Sequence, residues 1–216
     1  MSYVVKTPIA ILASGRGSNF DAIHAAVKSG KLAAEIVGVV SDQPEAAVLE
    51  KARALGVKAI AVPLKKGSPR QEHEERVLAE LEKLGPKFLV LAGYMRIMTP
   101  HLIEAFRCER GYSRIVNIHP SLLPAFPGVD SYGQAYRARV KETGVTVHLV
   151  ESEVDSGPIC AQEKFGIEDC QSVSEVEKRG LAVEHRLYSE TLSWVLPEKF
   201  TLTQAQGVGR SSVRQN

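Results

Sequence analysis

The stretch Thr7-Pro8-Ile9-Ala10-Ile11-Leu12-Ala13-Ser14-Gly15-Arg16-Gly17-Ser18-Asn19 joins an apolar run of strand length to a glycine-containing loop and then to a helical pattern. Similar apolar runs recur along the chain, with helix-length segments between most of them. The predicted strands are Thr7–Ala13, Ile36–Ser41, Ala59–Val62, Phe88–Ala92, Ile115–His119 and Val145–Val150. Because these runs are apolar on both faces, they predict a single-domain, doubly wound α/β fold whose mostly parallel sheet has helices on both faces.

Helical periodicity marks the segments between and after these strands, and a glycine often follows as a stop signal. The predicted helices are Asn19–Ser29, Ala46–Leu55, Pro69–Leu84, Pro100–Phe106, Ser131–Glu142, and Val173–Trp194 with an interruption at Gly180. Residues 201–216 are polar and cannot bury enough apolar surface to order themselves. We therefore predict one domain over residues 1–200 and a flexible carboxyl-terminal tail over residues 201–216.

Composition limits the classes of function. The 216 residues carry a formal net charge of +2, and the basic residues form no long run, so nucleic-acid binding is not indicated. The longest apolar stretches are far shorter than the ~20 residues of a membrane span, and no secretory signal is recognisable, so we expect no membrane partner and a cytoplasmic location. The three cysteines form no CxxC pair or His/Cys cluster, so no metal is expected.

The loop Ser14–Asn19 has the composition of an anion-binding loop. Glycine lets the backbone approach a ligand closely, and the free N–H groups and dipole of a following helix attract negative charge. The loop lacks the third glycine of the dinucleotide fingerprint and the GK[ST] of the P-loop. A tight turn with a Ser or Asn helix cap explains the same residues, so this motif alone leaves both interpretations open.

Asn117 and His119 lie two residues apart at the end of the fifth predicted strand, so their side chains project to the same side. Ligands of open parallel sheets gather beyond the carboxyl ends of the strands. An amide and an imidazole, whose unperturbed pKa is ~6.5, could stabilise an oxyanion there and transfer a proton. The pair thus indicates acyl transfer, although both residues could instead satisfy buried backbone groups.

The loop after the sixth predicted strand carries three carboxylates, Glu151, Glu153 and Asp155. A carboxylate hydrogen-bonded to an imidazole would orient the ring and favour its charged form. Asp155 is the candidate, but spacing alone does not separate it from the other two. Because the chain has no GxSxG sequence, direct attack by a substrate amine is simpler than a covalent acyl-enzyme.

These motifs together resemble the glycinamide ribonucleotide formyltransferase family of purine biosynthesis. The matching segments are Ser14–Asn19, Ala92–Met98, Asn117–Pro124 with Pro127-Gly128, and Gly144–His148 through Asp155–Pro158. The resemblance implies a Rossmann-like formyltransferase fold and transfer of a formyl group from the co-substrate 10-formyltetrahydrofolate to the amine of glycinamide ribonucleotide. It also implies that Asn117 and His119 hold and protonate the formyl oxygen while Asp155 fixes or tunes His119.

The resemblance further assigns the two small-molecule partners to particular residues, in a monomer or homodimer. The ribonucleotide phosphate is assigned to Gly17, Ser18 and Asn19, with Glu184 touching the ribonucleotide. The folate is assigned to Arg70, Met95, Arg96, Ile97, Met98, Asn117, Glu151, Ser152, Glu153, Val154 and Asp155. Taken without the family, Arg70 is an exposed helix-start residue, Met95 and Ile97 are core, and His148 is a satisfied core histidine.

One departure and three rival functions remain at this stage. The segment Val129–Ala135 lacks histidines that many relatives carry, which puts local contacts there in doubt.

A formyltetrahydrofolate hydrolase usually adds an amino-terminal domain and has His-Ser-Phe where this chain has His119-Pro120-Ser121. A methionyl-tRNA formyltransferase adds a carboxyl-terminal tRNA-binding domain, whereas a short polar tail follows residue 200 here. A nucleotide-binding regulatory module would leave Asn117, His119 and Asp155 unexplained.

Overall fold

The structure is a computed structural model that describes residues 5–203 and 211–216. The chain divides into two compact units, Met1–Val116 and Asn117–Asn216. Among the described residues, no helix is both long enough and apolar enough to cross a membrane.

The first unit alternates strands with helices. Its strands are β1 (Thr7–Leu12), β2 (Ala34–Ser41), β3 (Ala59–Ala61) and β4 (Phe88–Leu91), and its helices are α1 (Ser18–Lys28), α2 (Ala47–Ala54), α3 (Arg70–Leu84) and α4 (Pro100–Ala105). The strands lie in the order β3-β2-β1-β4, and β1 pairs in parallel with both β2 and β4. Ile9, Ile11 and Val90 have no exposed surface, so these strands form the core of the unit.

The last strand of the first unit, β5 (Ile115–His119), continues into the second unit. The second unit adds the strands β6 (Glu142–Leu149), β7 (Ile159–Gly166), β8 (Phe200–Thr203) and β9 (Ser212–Gln215), and the helices α5 (Ser131–Arg137) and α6 (Val173–Val195). Its strand order is β5-β6-β7-β9-β8, with β6 and β7 antiparallel and β7 and β9 parallel.

The α/β class and the mostly parallel sheet are confirmed; each predicted strand is present, β5 with the predicted bounds and the others with shifted ends. Three details were wrong. Helix α5 ends at Arg137 and not at Glu142, because Glu142 already pairs with Gly166 in the β6–β7 ladder. Strand β7 was missed because its residues are mostly half-buried or exposed and give no continuous apolar run. Helix α6 runs through Gly180 without interruption.

The prediction of a flexible tail over residues 201–216 is wrong for two segments. Thr201–Thr203 belong to β8, which pairs antiparallel with β9, and Leu202 lies opposite the buried Val213. Backbone pairing satisfies the N–H and C=O groups of both strands, so they need few apolar side chains to form a ladder. Residues 204–210 lie outside the described part of the chain.

Candidate active site

His119, the last residue of β5, is buried, and both ring nitrogens have partners. Its Nδ1 lies 3.4 Å from Oδ2 of Asp155, and its Nε2 lies 2.9 Å from the carbonyl oxygen of Phe126 and 3.1 Å from Oγ of Ser131. A carbonyl can only accept, so the bond to Phe126 requires a hydrogen on Nε2. A second proton, on Nδ1, would then face the carboxylate. The surroundings of His119 therefore stabilise a protonated imidazole.

Asp155 is the carboxylate of its loop that lies beside His119. It takes a left-handed backbone conformation (φ 52°), which aspartate adopts more readily than most residues. Its Oδ2 accepts a hydrogen bond from the N–H of Gly128 at 2.9 Å, and its Oδ1 lies 3.6 Å from Nε2 of His148. Burial by itself raises the pKa of Asp155, but the contacts with His148 and the Gly128 N–H and the charge on His119 hold that pKa below its ordinary value. Asp155 is therefore an ionised partner for the imidazole.

His148 near the end of β6 joins this group, although the sequence suggested only a satisfied core histidine. Its Nδ1 lies 2.9 Å from the carbonyl oxygen of Leu149, and its Nε2 lies 3.1 Å from Nδ2 of Asn117. Nδ1 donates to the carbonyl, and Nε2 faces both the Asn117 amide and, at 3.6 Å, Oδ1 of Asp155. His148 thus orients Asn117. The feature of the sequence that could have identified His148 as a site residue is its position near the carboxyl end of a strand. That strand lies next to β5, and ligands of such sheets gather at this edge.

The loop that follows His119 is held against β6 and β7 through Thr146. The Thr146 hydroxyl accepts from the N–H of Leu123 at 3.1 Å and donates to the carbonyl of Ser121 at 2.7 Å. Gln162 of β7 donates to the carbonyl of Leu123 at 2.9 Å and to the Thr146 hydroxyl at 2.8 Å. These bonds fix the path of the loop on its way to Phe126, whose carbonyl faces His119.

In the first unit, the predicted phosphate loop ends at Gly17, which caps α1 in a left-handed conformation (φ 75°). A Cβ at this position would lie 2.6 Å from Cγ2 of Val48, so both the backbone angle and the close approach require glycine. The N-cap residue of α1 is therefore a glycine and not a serine or asparagine, as the alternative interpretation required. The amino terminus of α1 therefore presents backbone N–H groups in the geometry of an anion site.

Asp42, at the end of β2, connects this loop with the segment that follows β4. Its carboxylate accepts hydrogen bonds from Ser14 at 2.5 Å, from Gln43 at 2.9 Å and from Nε of Arg96 at 2.7 Å. Ser14 in turn accepts from the N–H of Met95 at 2.9 Å. Burial by itself raises the pKa of the Asp42 carboxyl, but the three donors and the guanidinium charge hold it below its ordinary value.

The remaining predicted binding residues are distributed over both units. Met95 and Ile97 are 67% and 52% exposed, so their interpretation as core is wrong, whereas Met98 is buried. Arg70 is the exposed first residue of α3. In the second unit, Ser152, Glu153 and Val154 are exposed, Glu151 is half-buried, and Glu184 is buried in the middle of α6. Within the described ranges, no group of three or more His, Cys, Asp and Glu side chains could hold a metal ion.

An α/β fold with a carboxylate-paired imidazole and an amide beside it at a strand end suits the proton transfer and oxyanion stabilisation of group-transfer enzymes. The chain belongs to the formyl transferase family, whose model matches residues 7–192. It is 38% identical over 187 residues to the phosphoribosylglycinamide formyltransferase of Bacillus subtilis (strain 168). The aligned region covers 87% of this chain and 93% of that protein.

Solved structures agree with this assignment. The crystal structure of phosphoribosylglycinamide formyltransferase from Bacillus halodurans is 42% identical, has a TM-score of 0.83, and covers 89% of this chain and 96% of its own. The crystal structure of glycinamide ribonucleotide transformylase 1 from Symbiobacterium toebii is 35% identical and has a TM-score of 0.87. The match covers 97% of this chain and 94% of that chain. The family and the enzyme class predicted from the sequence are confirmed.

Proposed function

We propose that this enzyme transfers the formyl group of 10-formyltetrahydrofolate to the amine of glycinamide ribonucleotide, giving formylglycinamide ribonucleotide and tetrahydrofolate in de novo purine biosynthesis. The observation that carries the proposal is the contact of His119 with the ionised Asp155, next to the oriented amide of Asn117. The relatives named phosphoribosylglycinamide formyltransferases support the choice of substrates.

The proposed reaction is an attack of the neutral substrate amine on the formyl carbon. A C–N bond forms to the ribonucleotide, and the formyl oxygen takes up negative charge, which the Asn117 amide stabilises by a hydrogen bond and protonated His119 stabilises by its positive charge. The attacking nitrogen then loses a proton, N10 of the folate gains one, and the bond between N10 and the formyl carbon breaks. Asp155 stabilises the charged imidazole and orients it throughout, and the protein's further contribution is to hold the two substrates in reacting geometry.

For substrate binding, we propose the residues implied by the family resemblance. The phosphate of the ribonucleotide binds Gly17, Ser18 and Asn19, in line with the backbone N–H groups that the amino terminus of α1 presents, and Glu184 binds the rest of the ribonucleotide. Exposed apolar side chains such as Met95 and Ile97 suit a largely apolar ligand surface. The proposed folate contacts are Arg70, Met95, Arg96, Ile97, Met98, Asn117, Glu151, Ser152, Glu153, Val154 and Asp155.

The deciding experiment follows the folate in the purified protein, with and without glycinamide ribonucleotide. We expect tetrahydrofolate to appear when the ribonucleotide is present, in equal amount to formylglycinamide ribonucleotide. Folate turnover that is unchanged without the ribonucleotide would reject the transferase in favour of a hydrolase. Asn117→Ala and His119→Ala should fold and lose turnover, whereas a purely regulatory nucleotide-binding module would keep its function in both variants.

A further inference from the structure

A buried hydrogen bond joins the two helices of the second unit. The hydroxyl of Tyr132 in α5 donates to Oε1 of Glu184 in α6 at 2.7 Å. Both residues are buried, with 8% and 6% of their surfaces exposed. A buried carboxylate is stable only when its oxygens are hydrogen-bonded, so this contact fixes one of them.

Gly180 makes room for this contact. It lies one helical turn before Glu184 on the same face of α6, and a Cβ there would be 2.0 Å from the Tyr132 hydroxyl oxygen. Glycine is unfavourable inside a helix compared with alanine, so its presence in the middle of α6 needs a local reason. The reason on this face is the passage of the tyrosine hydroxyl across the helix surface.

The Tyr132 ring is held by apolar packing of its own in addition to the contact with Glu184. The ring lies edge-on to Phe165 with 6.2 Å between ring centroids and belongs to a buried cluster with Ala135, Ile167, Cys170 and Val176. Burial, together with the negative charge of Glu184, raises the pKa of Tyr132 far above its usual range. The hydroxyl is therefore a permanent donor that points at the carboxylate from a rigid support.

We propose that Tyr132 is a positioning residue for the ribonucleotide: its hydroxyl holds the Glu184 carboxylate in the orientation that accepts hydrogen bonds from hydroxyl groups of the substrate sugar. This inference rests on the proposed function, in which Glu184 contacts the ribonucleotide. A carboxylate that is already oriented loses little side-chain entropy when the sugar binds, so the contact increases affinity for this one substrate. It leaves the formyl-transfer step unaffected.

The test is steady-state kinetics of the full chain with glycinamide ribonucleotide and 10-formyltetrahydrofolate as the two substrates. Tyr132→Phe removes only the donor to Glu184, and the KM for the ribonucleotide should rise about tenfold, as expected for a lost hydrogen bond to a charged group. The kcat and the KM for the folate should change less than twofold. Tyr136→Phe is the matched control, because Tyr136 is also on α5 and its hydroxyl donates to the carbonyl of Gln171 at 2.7 Å.

A double-mutant cycle separates positioning from a general structural effect. In a Glu184→Ala background, which removes the acceptor of the Tyr132 hydroxyl altogether, Tyr132→Phe should no longer raise the KM for the ribonucleotide. An unchanged KM in Tyr132→Phe, or an equal rise in both backgrounds, would overturn the proposal. Gly180→Ala, which displaces the hydroxyl without removing it, should raise the same KM and supplies a second variant if the first folds poorly. A wrong proposed function would give a different result: the wild-type protein would turn over the folate without requiring the ribonucleotide.

Discussion

Oδ2 of Asp155 lies 3.4 Å from Nδ1 of His119, and the same oxygen accepts the N–H of Gly128 at 2.9 Å. One carboxylate oxygen therefore links the loop after β6 to the loop after β5. Because Gly128 holds this oxygen near the imidazole, the pairing depends on the path of both loops and not on the two side chains alone.

Asp155→Asn should lower kcat for formyl transfer by about 10²- to 10⁴-fold, the usual contribution of an acid–base group, because the neutral amide no longer stabilises a charged His119. The measurement is formylglycinamide ribonucleotide formed per enzyme at saturating substrates. Asp169→Asn is the matched control, since Asp169 lies in the same unit and pairs with Arg179 at the surface. Equal activity in the two variants would contradict the role of Asp155.

The pH dependence of the stability should also show the ionisation of Asp155. Its pKa in the folded protein is lowered, so its ionised form stabilises the fold above the unfolded value of about 3.9, and this contribution is lost as the pH falls through the folded pKa. The difference in Tm between the wild type and Asp155→Asn should therefore be present at pH 6 and shrink steadily below about pH 4. A difference that stays constant down to pH 3 would be inconsistent with a lowered pKa.

Gly17→Ala should destabilise the first unit by about 2–5 kcal/mol. A left-handed alanine costs about 1–2 kcal/mol, and overlap of the new methyl group with Val48 adds about 1–3 kcal/mol. Gly30→Ala isolates the first effect, because Gly30 has φ 76° but, apart from its chain neighbours, no atom of the described residues lies within 4 Å of the added Cβ. Urea denaturation measures the free energy of unfolding of both variants. If Gly17→Ala loses no more stability than Gly30→Ala, the overlap with Val48 has no energetic cost and the prediction is wrong.

Thr146→Val should cost about 1–3 kcal/mol of stability, since the buried N–H of Leu123 loses its acceptor. Turnover should fall as well, because the loop that leads to the Phe126 carbonyl loses its attachment to β6. Thr143→Val is the control on the same strand: the Thr143 hydroxyl oxygen is buried and has no hydrogen-bond partner in the described part of the chain. Thr143→Val should leave the stability unchanged or raise it slightly. Equal losses of stability in both variants would contradict the role of the Thr146 hydroxyl in holding the loop.

The regular elements of the core were accessible from local pattern. Strand β4 is a continuous apolar run that is buried along its length, and β1 is apolar and buried from Ile9 to Leu12; such runs predict a covered parallel sheet. Strands β7, β8 and β9 escaped prediction because they have short or mixed patterns, and their formation depends on backbone pairing with distant segments. Helix α6 was predicted to break at Gly180, but the space beside this glycine is filled by Tyr132, a residue 48 positions earlier whose approach no local pattern reveals.

The sequence by itself determined that Asn117 and His119 share one side of a strand end, because side-chain direction along a strand has a period of two. Only the tertiary structure decided which of three neighbouring carboxylates lies beside His119, since that choice depends on the left-handed turn at Asp155 and on the N–H of Gly128. The same holds for His148, whose contact with Asn117 arises from the register between two strands. Local periodicity fixes the direction of a side chain, but its partner is set by long-range packing, which a single sequence does not encode in any short stretch.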